Sequence, residues 1–375
     1  MNTYFPASEE ISRVSNPQDW DAAKSQKMIE ACREMAVFHG TYSPDLKHIY
    51  QREGFEPLSV EREEDLARIP MVGVSAMKSF LMTTLPQTDA VLRLTSSGTR
   101  GQKTQIWFDA ASLGRVQGML DVLWQQEGLV SRESTNYLNF IYDPDQAKDL
   151  GISFSVKNEQ RFAPVAESYF TVRKNAAGTW EFQKEATLSQ LRKYAVQGHP
   201  VRLLGIPSFI FELLQVLKEV GPIWLPPKSY VLTGGGWKAA EDKSVTRARF
   251  RELITQYLGI PDKNIRDGFG MAEHSAPYIE CNLHRFHVPV YNRVYARDPV
   301  TLEVLPAGKT GLLEFMTPFN AMMPNLAILS TDLGYLESEA CACGRASPTF
   351  TLVGRGGLTK HKGCAISAGE IVRRK

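Results

Sequence analysis

The sequence predicts an α/β protein in which mixed sheets with helices are joined to a β-rich lobe. Two observations lead to this fold class. Through the middle of the chain, short apolar runs typical of strands alternate with runs typical of helices, which favours partly parallel sheets. After Phe286 the helical runs stop, and apolar runs separated by turns indicate a lobe built from strands.

The N-terminal part is predicted to be helical. Residues 16–39 form an amphipathic pattern that Asn16 is expected to cap. Further helices are expected over residues 43–53, 188–196, 208–220 and 241–258. Strands are expected over residues 91–94, 137–141, 201–204, 230–233 and 265–269, and in the lobe over 288–295, 311–316, 327–330 and 349–353.

Length and charge narrow the class of protein. A chain of 375 residues can bury a large core and form two or three structural units. The formal net charge is +2, and no stripe of Lys and Arg interleaved with aromatics is present, so we expect no nucleic-acid partner. The longest apolar run, over 203–217, is too short for a membrane span, and no signal peptide is visible. We expect a soluble, cytoplasmic protein.

The five cysteines do not indicate a disulfide framework, because their number is odd and the chain looks cytoplasmic. Cys32 lies in a helical pattern and is expected in the core. Metal binding or thiol chemistry is the better expectation for the other four, which are Cys281, Cys341, Cys343 and Cys364.

A loop rich in Ser, Thr and Gly, TSSGTRGQKT over residues 95–104, lies between two strand-like runs. Glycines let a backbone approach an anion, while N–H groups and hydroxyls donate to it, so the loop is a candidate phosphate site. The alternative is a polar hairpin turn. Gly98 and Gly101 are too close together for a Walker loop, and no dinucleotide fingerprint occurs in the chain.

Four further segments follow this loop in a fixed order. They are Leu232-Thr233-Gly234-Gly235-Gly236, Asp267-Gly268-Phe269-Gly270-Met271-Ala272-Glu273, Ser330-Thr331-Asp332-Leu333-Gly334-Tyr335 and Val353-Gly354-Arg355-Gly356-Gly357. The series resembles the adenylate-forming superfamily of acyl-CoA ligases, luciferases and peptide-synthetase adenylation domains, over roughly residues 90–370. Taken singly, the same residues would be a core Phe, a surface Glu, a turn Asp and a surface Arg.

The resemblance implies ATP and Mg²⁺ as cofactors and gives each segment a role. Phe269 would stack on adenine, and the backbone of 234–236 would approach the base. Glu273 would hold Mg²⁺, Asp332 would accept the ribose hydroxyls, and Arg355 would bind ribose or phosphate oxygens. The implied nucleotide-binding set is Ser96, Ser97, Gly98, Thr99, Gly101, Thr104, Gly234, Gly235, Gly236, Phe269, Gly270, Asp332 and Arg355.

Three departures from the superfamily pattern point to a branch. Lys103 stands where the superfamily usually has Pro and Thr104 where it usually has Lys, and Gly356 follows Arg355 where Asp is usual. The chain continues for only 20 residues (375 − 355) beyond Arg355. These features resemble phenylacetate–CoA ligases and, still more, acyl-protein synthetases of the LuxE type. We therefore expect an adenylation domain over 1–353, with its β-rich lobe at about 286–353, and a tail over 354–375 in place of a mobile C-terminal domain.

The LuxE resemblance implies a two-step reaction. A fatty acid, or another carboxylic acid, would be joined to AMP and then moved to Cys364 of the tail. Glu273, Lys103 and Cys364 would be the catalytic residues, and a reductase or carrier would accept the acyl group. The alternatives are an acyl- or aryl-CoA ligase of the phenylacetate type and a non-catalytic binding subunit of the same fold. Neither the acid nor its chain length is readable from the sequence.

A second group of residues suggests a metal. Three thiols and an imidazole, from Cys281, His287, Cys341 and Cys343, suit a closed tetrahedral zinc site. His284 is the rival fourth ligand. A Cys-x-Cys-Gly-Arg segment with an upstream Cys and His also occurs in the phenylacetate–CoA ligase branch, where it can bind zinc. The alternative is four unlinked residues in the β-rich lobe.

Overall fold

A computed structural model describes residues 4–95, 104–146, 158–237 and 245–355. These residues form two compact units. The first unit comprises 4–95, 104–128 and 270–355, and the second comprises 129–146, 158–237 and 245–269. No helix in the described part of the chain is long and apolar enough to cross a membrane.

The described elements occur in the following order. The α-helices are α1 Pro6–Ile11, α2 Ala22–Tyr42, α3 Pro44–Glu53, α4 Glu63–Leu66, α5 Val74–Ser79, α6 Ala110–Gln126, α7 Lys184–Gln197, α8 Pro207–Val220 and α9 Arg247–Leu258. The strands are β1 Val72–Gly73, β2 Leu92–Thr95, β3 Gln105–Phe108, β4 Thr135–Tyr142, β5 Val165–Lys174, β6 Trp180–Phe182, β7 Val201–Gly205, β8 Tyr230–Gly234, β9 Ile265–Phe269, β10 Tyr278–Ile279, β11 Phe286–His287, β12 Arg293–Arg297, β13 Gly311–Met316, β14 Ala327–Leu336 and β15 Thr349–Arg355. Short 3₁₀ turns occupy Pro57–Ser59, Gln87–Asp89, Gln160–Phe162 and Asp262–Asn264.

The helix predicted from Asn16 begins later, and this boundary was wrong. Asn16 has a φ of 49°, outside the range of a helix or its cap. The cap is instead Asp21, whose side chain accepts a hydrogen bond from the Lys24 N–H at 2.8 Å. The next helix, α3, has the predicted bounds because Ser43 caps it through the Leu46 N–H and Gly54 ends it at a φ of 62°.

The main sheet of the first unit is antiparallel, with the order β11-β15-β14-β13-β12, and β1 adds to β14 in parallel. The strand predicted over 288–295 begins only at Arg293, because the backbone N–H of Val290 donates to the Pro17 carbonyl instead of to a strand. Cys32 of α2 is fully buried, with its sulfur 3.8 Å from that of Met316, as expected for a core thiol.

The sheet of the second unit is mostly parallel. Its strands follow the order β9-β8-β7-β4-β5-β6, and only β6 runs antiparallel to its neighbour. The carboxyl ends of β7, β8 and β9 therefore meet at one edge. Helix α8 buries an apolar face that includes Phe209 and Leu213, which explains its strongly apolar sequence. Ligands of open α/β sheets bind at such carboxyl edges.

Candidate active site and metal centre

Part of the predicted nucleotide site lies outside the described residues. This applies to Ser96, Ser97, Gly98, Thr99, Gly101, Lys103 and Cys364. Arg355 is described through its backbone alone. The roles of these residues remain predictions. The geometry below concerns the predicted site residues that the structure describes.

The segment predicted to bind phosphate lies between two strands that pair as a hairpin. Thr95 at the end of β2 pairs with Gln105 at the start of β3. The hairpin is held by Trp107, whose ring lies 4.3 Å from the Arg93 guanidinium and whose backbone N–H points at the Met323 sulfur, 3.0 Å away. Thr104, just before β3, is fully buried. The last residue of the predicted phosphate loop is thus fixed by the core.

Glu273 lies in the turn that follows Gly270 and is only 7% exposed. The hydroxyl of Thr104 donates to its Oε1 at 2.7 Å. A carboxylate is the ligand type that Mg²⁺ prefers, and this contact brings it to the end of the predicted phosphate loop. Both residues were predicted to be in the nucleotide site from separate motifs, and the first unit brings them together.

Asp332 and Arg355 also come together in the first unit, through strand register. Asp332 of β14 is the backbone partner of Arg355 of β15. The register shifts at Leu333 and Gly334, where a side chain at 334 would approach the Thr351 carbonyl to 2.3 Å, so only glycine fits. The Asp332 backbone N–H donates to Ser330 Oγ at 3.0 Å. The two residues predicted for ribose and phosphate are therefore neighbours.

In the second unit the glycine segment and Phe269 lie at the carboxyl ends of adjacent strands, β8 and β9, where Gly234 pairs with Gly268. Gly235 and Gly236 have φ values of 81° and 65°, which side-chain-bearing residues rarely adopt. Asp267, which sequence reasoning gave no role, accepts a hydrogen bond from the Thr233 hydroxyl at 2.8 Å. Its place as the first residue of the predicted segment 267–273 was the available signal.

Cys281, His287, Cys341 and Cys343 form one cluster, hereafter the Cys/His cluster. Their ligand atoms all lie within 4.8 Å of one another. The sulfurs of Cys281 and Cys341 are 3.8 Å apart, and the Cys343 sulfur is 3.2 Å from His287 Nε2. In a tetrahedron with Zn–S bonds of about 2.3 Å, neighbouring sulfurs are about 3.8 Å apart. The donor set and its spacing therefore fit zinc.

Local structure selects His287 over His284 for this cluster. His287 Nδ1 lies 2.9 Å from Ser347 Oγ, which leaves Nε2 for a metal, as is usual for metal-ligating histidines. His284 Nδ1 instead lies 3.7 Å from a carboxylate oxygen of Glu280. Burial, together with the nearby Arg345 charge, lowers the pKa of His287 to about 4, so the ring is neutral at pH 7.

The loop that carries Cys341 and Cys343 is anchored by Arg345. Its guanidinium donates to both oxygens of the buried Glu127 carboxylate, at 2.6 and 3.1 Å. Glu127 is the C-cap residue of α6. Sequence reasoning quoted Arg345 only as part of a motif, because its partner lies 218 residues away.

The chain shares its fold with a solved ligase structure. It matches 2-hydroxyisobutyryl-CoA ligase, solved in an open conformation with 2-HIB-AMP and CoA, with a TM-score of 0.70. The match covers 94% of this chain and 74% of that one at 16% identity, so it establishes the fold. The predicted fold class is confirmed.

The family follows from the sequence. The model of the acyl-protein synthetase family LuxE matches residues 7–372, and this chain belongs to that family. The long-chain-fatty-acid–luciferin-component ligase of Vibrio harveyi is 27% identical over 370 residues, which are 98% of this chain and 94% of that protein. The phenylacetate-coenzyme A ligase of Thermus thermophilus is 31% identical over 146 residues, 37% of this chain and 30% of that protein. The resemblance to both branches is confirmed, and the chain is a ligase.

Proposed function

We propose that this chain uses ATP to activate a long-chain fatty acid and then carries the acyl group on its own Cys364. The observation that best supports the first step is the contact between Thr104 and Glu273. It joins the predicted phosphate loop to a carboxylate, which is the ligand type that Mg²⁺ prefers. Family membership over residues 7–372 and the name of the Vibrio harveyi relative support the choice of substrate.

In the first step an oxygen of the fatty acid carboxylate attacks the α-phosphorus of ATP. The bond to the β-phosphate breaks, and acyl-AMP and pyrophosphate form. Glu273 would hold Mg²⁺, which supplies charge neutralisation on the phosphates when bound. Asp332 would accept the ribose hydroxyls, and the neighbouring Arg355 would bind ribose or phosphate oxygens. The strand ends at Gly234–Gly236 and Phe269 would receive adenine.

In the second step the thiolate of Cys364 attacks the acyl carbonyl carbon. The bond between that carbon and the phosphate oxygen breaks, AMP leaves, and a thioester remains on the enzyme. Lys360, His361 and Lys362 lie close in sequence to Cys364, and positive charge favours the thiolate. A partner protein, a reductase or carrier, would then take the acyl group.

The Cys/His cluster is proposed to hold a structural zinc ion. Four protein ligands leave no open coordination position, so the ion would take no part in either step. Its role would be to join the turn after β10, strand β11 and the loop at 341–343.

The test is incubation with ATP, Mg²⁺ and an isotope-labelled long-chain fatty acid, followed by intact-protein mass measurement. The wild type should gain one acyl group that neutral hydroxylamine removes. Cys364→Ala should still catalyse acid-dependent pyrophosphate exchange but gain no mass. Cys32→Ala, which removes a core thiol, is the matched control and should be acylated as the wild type is.

Two other outcomes would replace the proposal. Full acylation of Cys364→Ala, or efficient acyl transfer to CoA, would favour a CoA ligase of the phenylacetate type. Absence of any adenylate with every acid tested would favour a binding subunit without catalytic activity.

A further inference from the structure

Asn325 is a buried amide beside the candidate active site that belongs to none of the predicted motifs. It is 1% exposed and lies in the segment between β13 and β14. Its Nδ2 donates a hydrogen bond of 2.7 Å to the backbone carbonyl of Glu273, across 52 positions of sequence. A buried backbone carbonyl that loses its donor is costly, so this bond fixes the turn that carries Glu273.

Thr104 holds Glu273 at its side chain. Its hydroxyl donates to Glu273 Oε1 at 2.7 Å, while the amide of Asn325 holds the backbone. Within the described residues Oε2 makes no hydrogen bond. The two contacts fix where the carboxylate lies and direct its second oxygen away from Thr104.

Both of these donors are uncharged. A Lys or Arg at either position would neutralise the carboxylate and compete with a cation for it. A hydroxyl and an amide orient the carboxylate while leaving its negative charge available to Mg²⁺. Partners that orient a metal ligand typically contribute about 10- to 100-fold to metal affinity or activity.

Asn325 also precedes the strand that carries the second half of the proposed nucleotide site. The next residue, Leu326, accepts a hydrogen bond from the Thr317 N–H at 2.9 Å, and β14 starts at Ala327. Asp332 lies on this strand. One short segment therefore fixes the turn that carries Glu273 and leads into the strand that carries Asp332.

We propose that Asn325 is a positioning residue for adenylation: together with Thr104 it holds Glu273 so that its free oxygen meets the Mg²⁺ bound to ATP. The proposal rests on the function proposed above. In this proposal Asn325 acts through Glu273 and does not itself contact the substrate. Its loss should therefore weaken the response to Mg²⁺ more than it lowers the rate at saturating Mg²⁺.

The experiment measures acid-dependent pyrophosphate exchange against Mg²⁺ concentration at saturating ATP and fatty acid. Asn325→Leu removes the donor without adding charge, and it should raise the half-saturating Mg²⁺ concentration by about 10-fold or more. Asn320→Leu is the matched control. Asn320 is equally buried, at 2% exposed, and its amide donates to the Trp107 carbonyl instead. It should lose stability but keep the wild-type Mg²⁺ dependence.

A second pair of variants decides the question if Asn325→Leu does not fold. Thr104→Val deletes the hydroxyl and should shift the Mg²⁺ dependence in the same direction, whereas Thr104→Ser keeps the hydroxyl and should restore it. A folded Asn325→Leu, or failing that Thr104→Val, with wild-type Mg²⁺ dependence overturns the proposal while leaving adenylation intact. A wild type that shows no exchange at any Mg²⁺ concentration overturns both this proposal and the proposed function.

Discussion

The residue on which most of the proposed chemistry depends is Glu273, a nearly buried carboxylate held at both ends. Neither of its donors carries a positive charge that would compete with Mg²⁺ for the carboxylate. Sequence motifs could predict a role for Glu273 because the motif order is specific. They could not identify Asn325, because a side-chain bond to a remote backbone carbonyl leaves no local pattern.

We expect Glu273→Gln to lose adenylation. The substitution keeps the shape of the side chain and removes its charge, and loss of one key group that stabilises the transition state costs on the order of 10²–10³ in rate. Acid-dependent pyrophosphate exchange measures this step. Glu34→Gln is the control, since among the described residues the Glu34 carboxylate accepts hydrogen bonds from the backbone of α1, and the substitution should be silent in this assay. Wild-type exchange by Glu273→Gln would remove this residue from the site.

At the scale of elements, the sequence predicted strands well where buried, β-branched or aromatic runs end in glycine. β8 is an example, and its pairing with β9 aligns Gly234 with Gly268. It failed where tertiary contacts override a local pattern. Residues 16–20 have a helical pattern in sequence. However, the Trp20 side chain donates to the Val288 carbonyl at 2.9 Å, and the Pro17 carbonyl accepts a hydrogen bond from the Val290 N–H. These contacts with residues 288–290 hold the stretch outside a helix.

The Cys/His cluster is the element whose composition was predicted most fully. The four residues were chosen from residue type and from the resemblance to the phenylacetate–CoA ligase branch, and their ligand atoms lie within 4.8 Å of one another. The choice between His284 and His287 needed the structure, because it depends on Ser347 and Glu280. Spacing alone does not say which face of a turn a histidine occupies.

If the cluster holds zinc, freshly isolated protein should contain about one equivalent of zinc. Cys343→Ser should release it and lower the free energy of unfolding by on the order of 4 kcal/mol, since loss of a structural metal is among the largest single-site effects. Elemental analysis and thermal unfolding measure the two effects. Cys32→Ser changes a buried thiol that is not a ligand, and it should leave the zinc content unchanged. Metal-free protein with wild-type stability would contradict the assignment.

At the scale of the whole molecule, stability should depend on pH through two buried histidines of the first unit. His39 is fully buried, with its ring nitrogens 2.8 Å from Thr84 Oγ1 and 3.1 Å from the Asn320 carbonyl. His274 is fully buried beside Tyr278 and Phe315. Burial lowers the pKa of each to about 3, with the Asn320 carbonyl partly opposing the shift at His39.

The direction of the pH dependence follows from proton binding. Below pH 6.5 the unfolded chain protonates both histidines, whereas the folded chain leaves them neutral until about pH 3. Their contribution is therefore fully present above pH 6.5 and is lost as the pH falls, at about 1.4 kcal/mol per pH unit for each histidine. His39→Gln should remove one of these two contributions, so that stability measured by denaturant unfolding falls less steeply between pH 6.5 and 4.5. His48→Gln, on the exposed face of α3, should keep the wild-type slope. An unchanged slope in His39→Gln would show that this histidine is protonated in the folded protein and that its burial does not control acid stability.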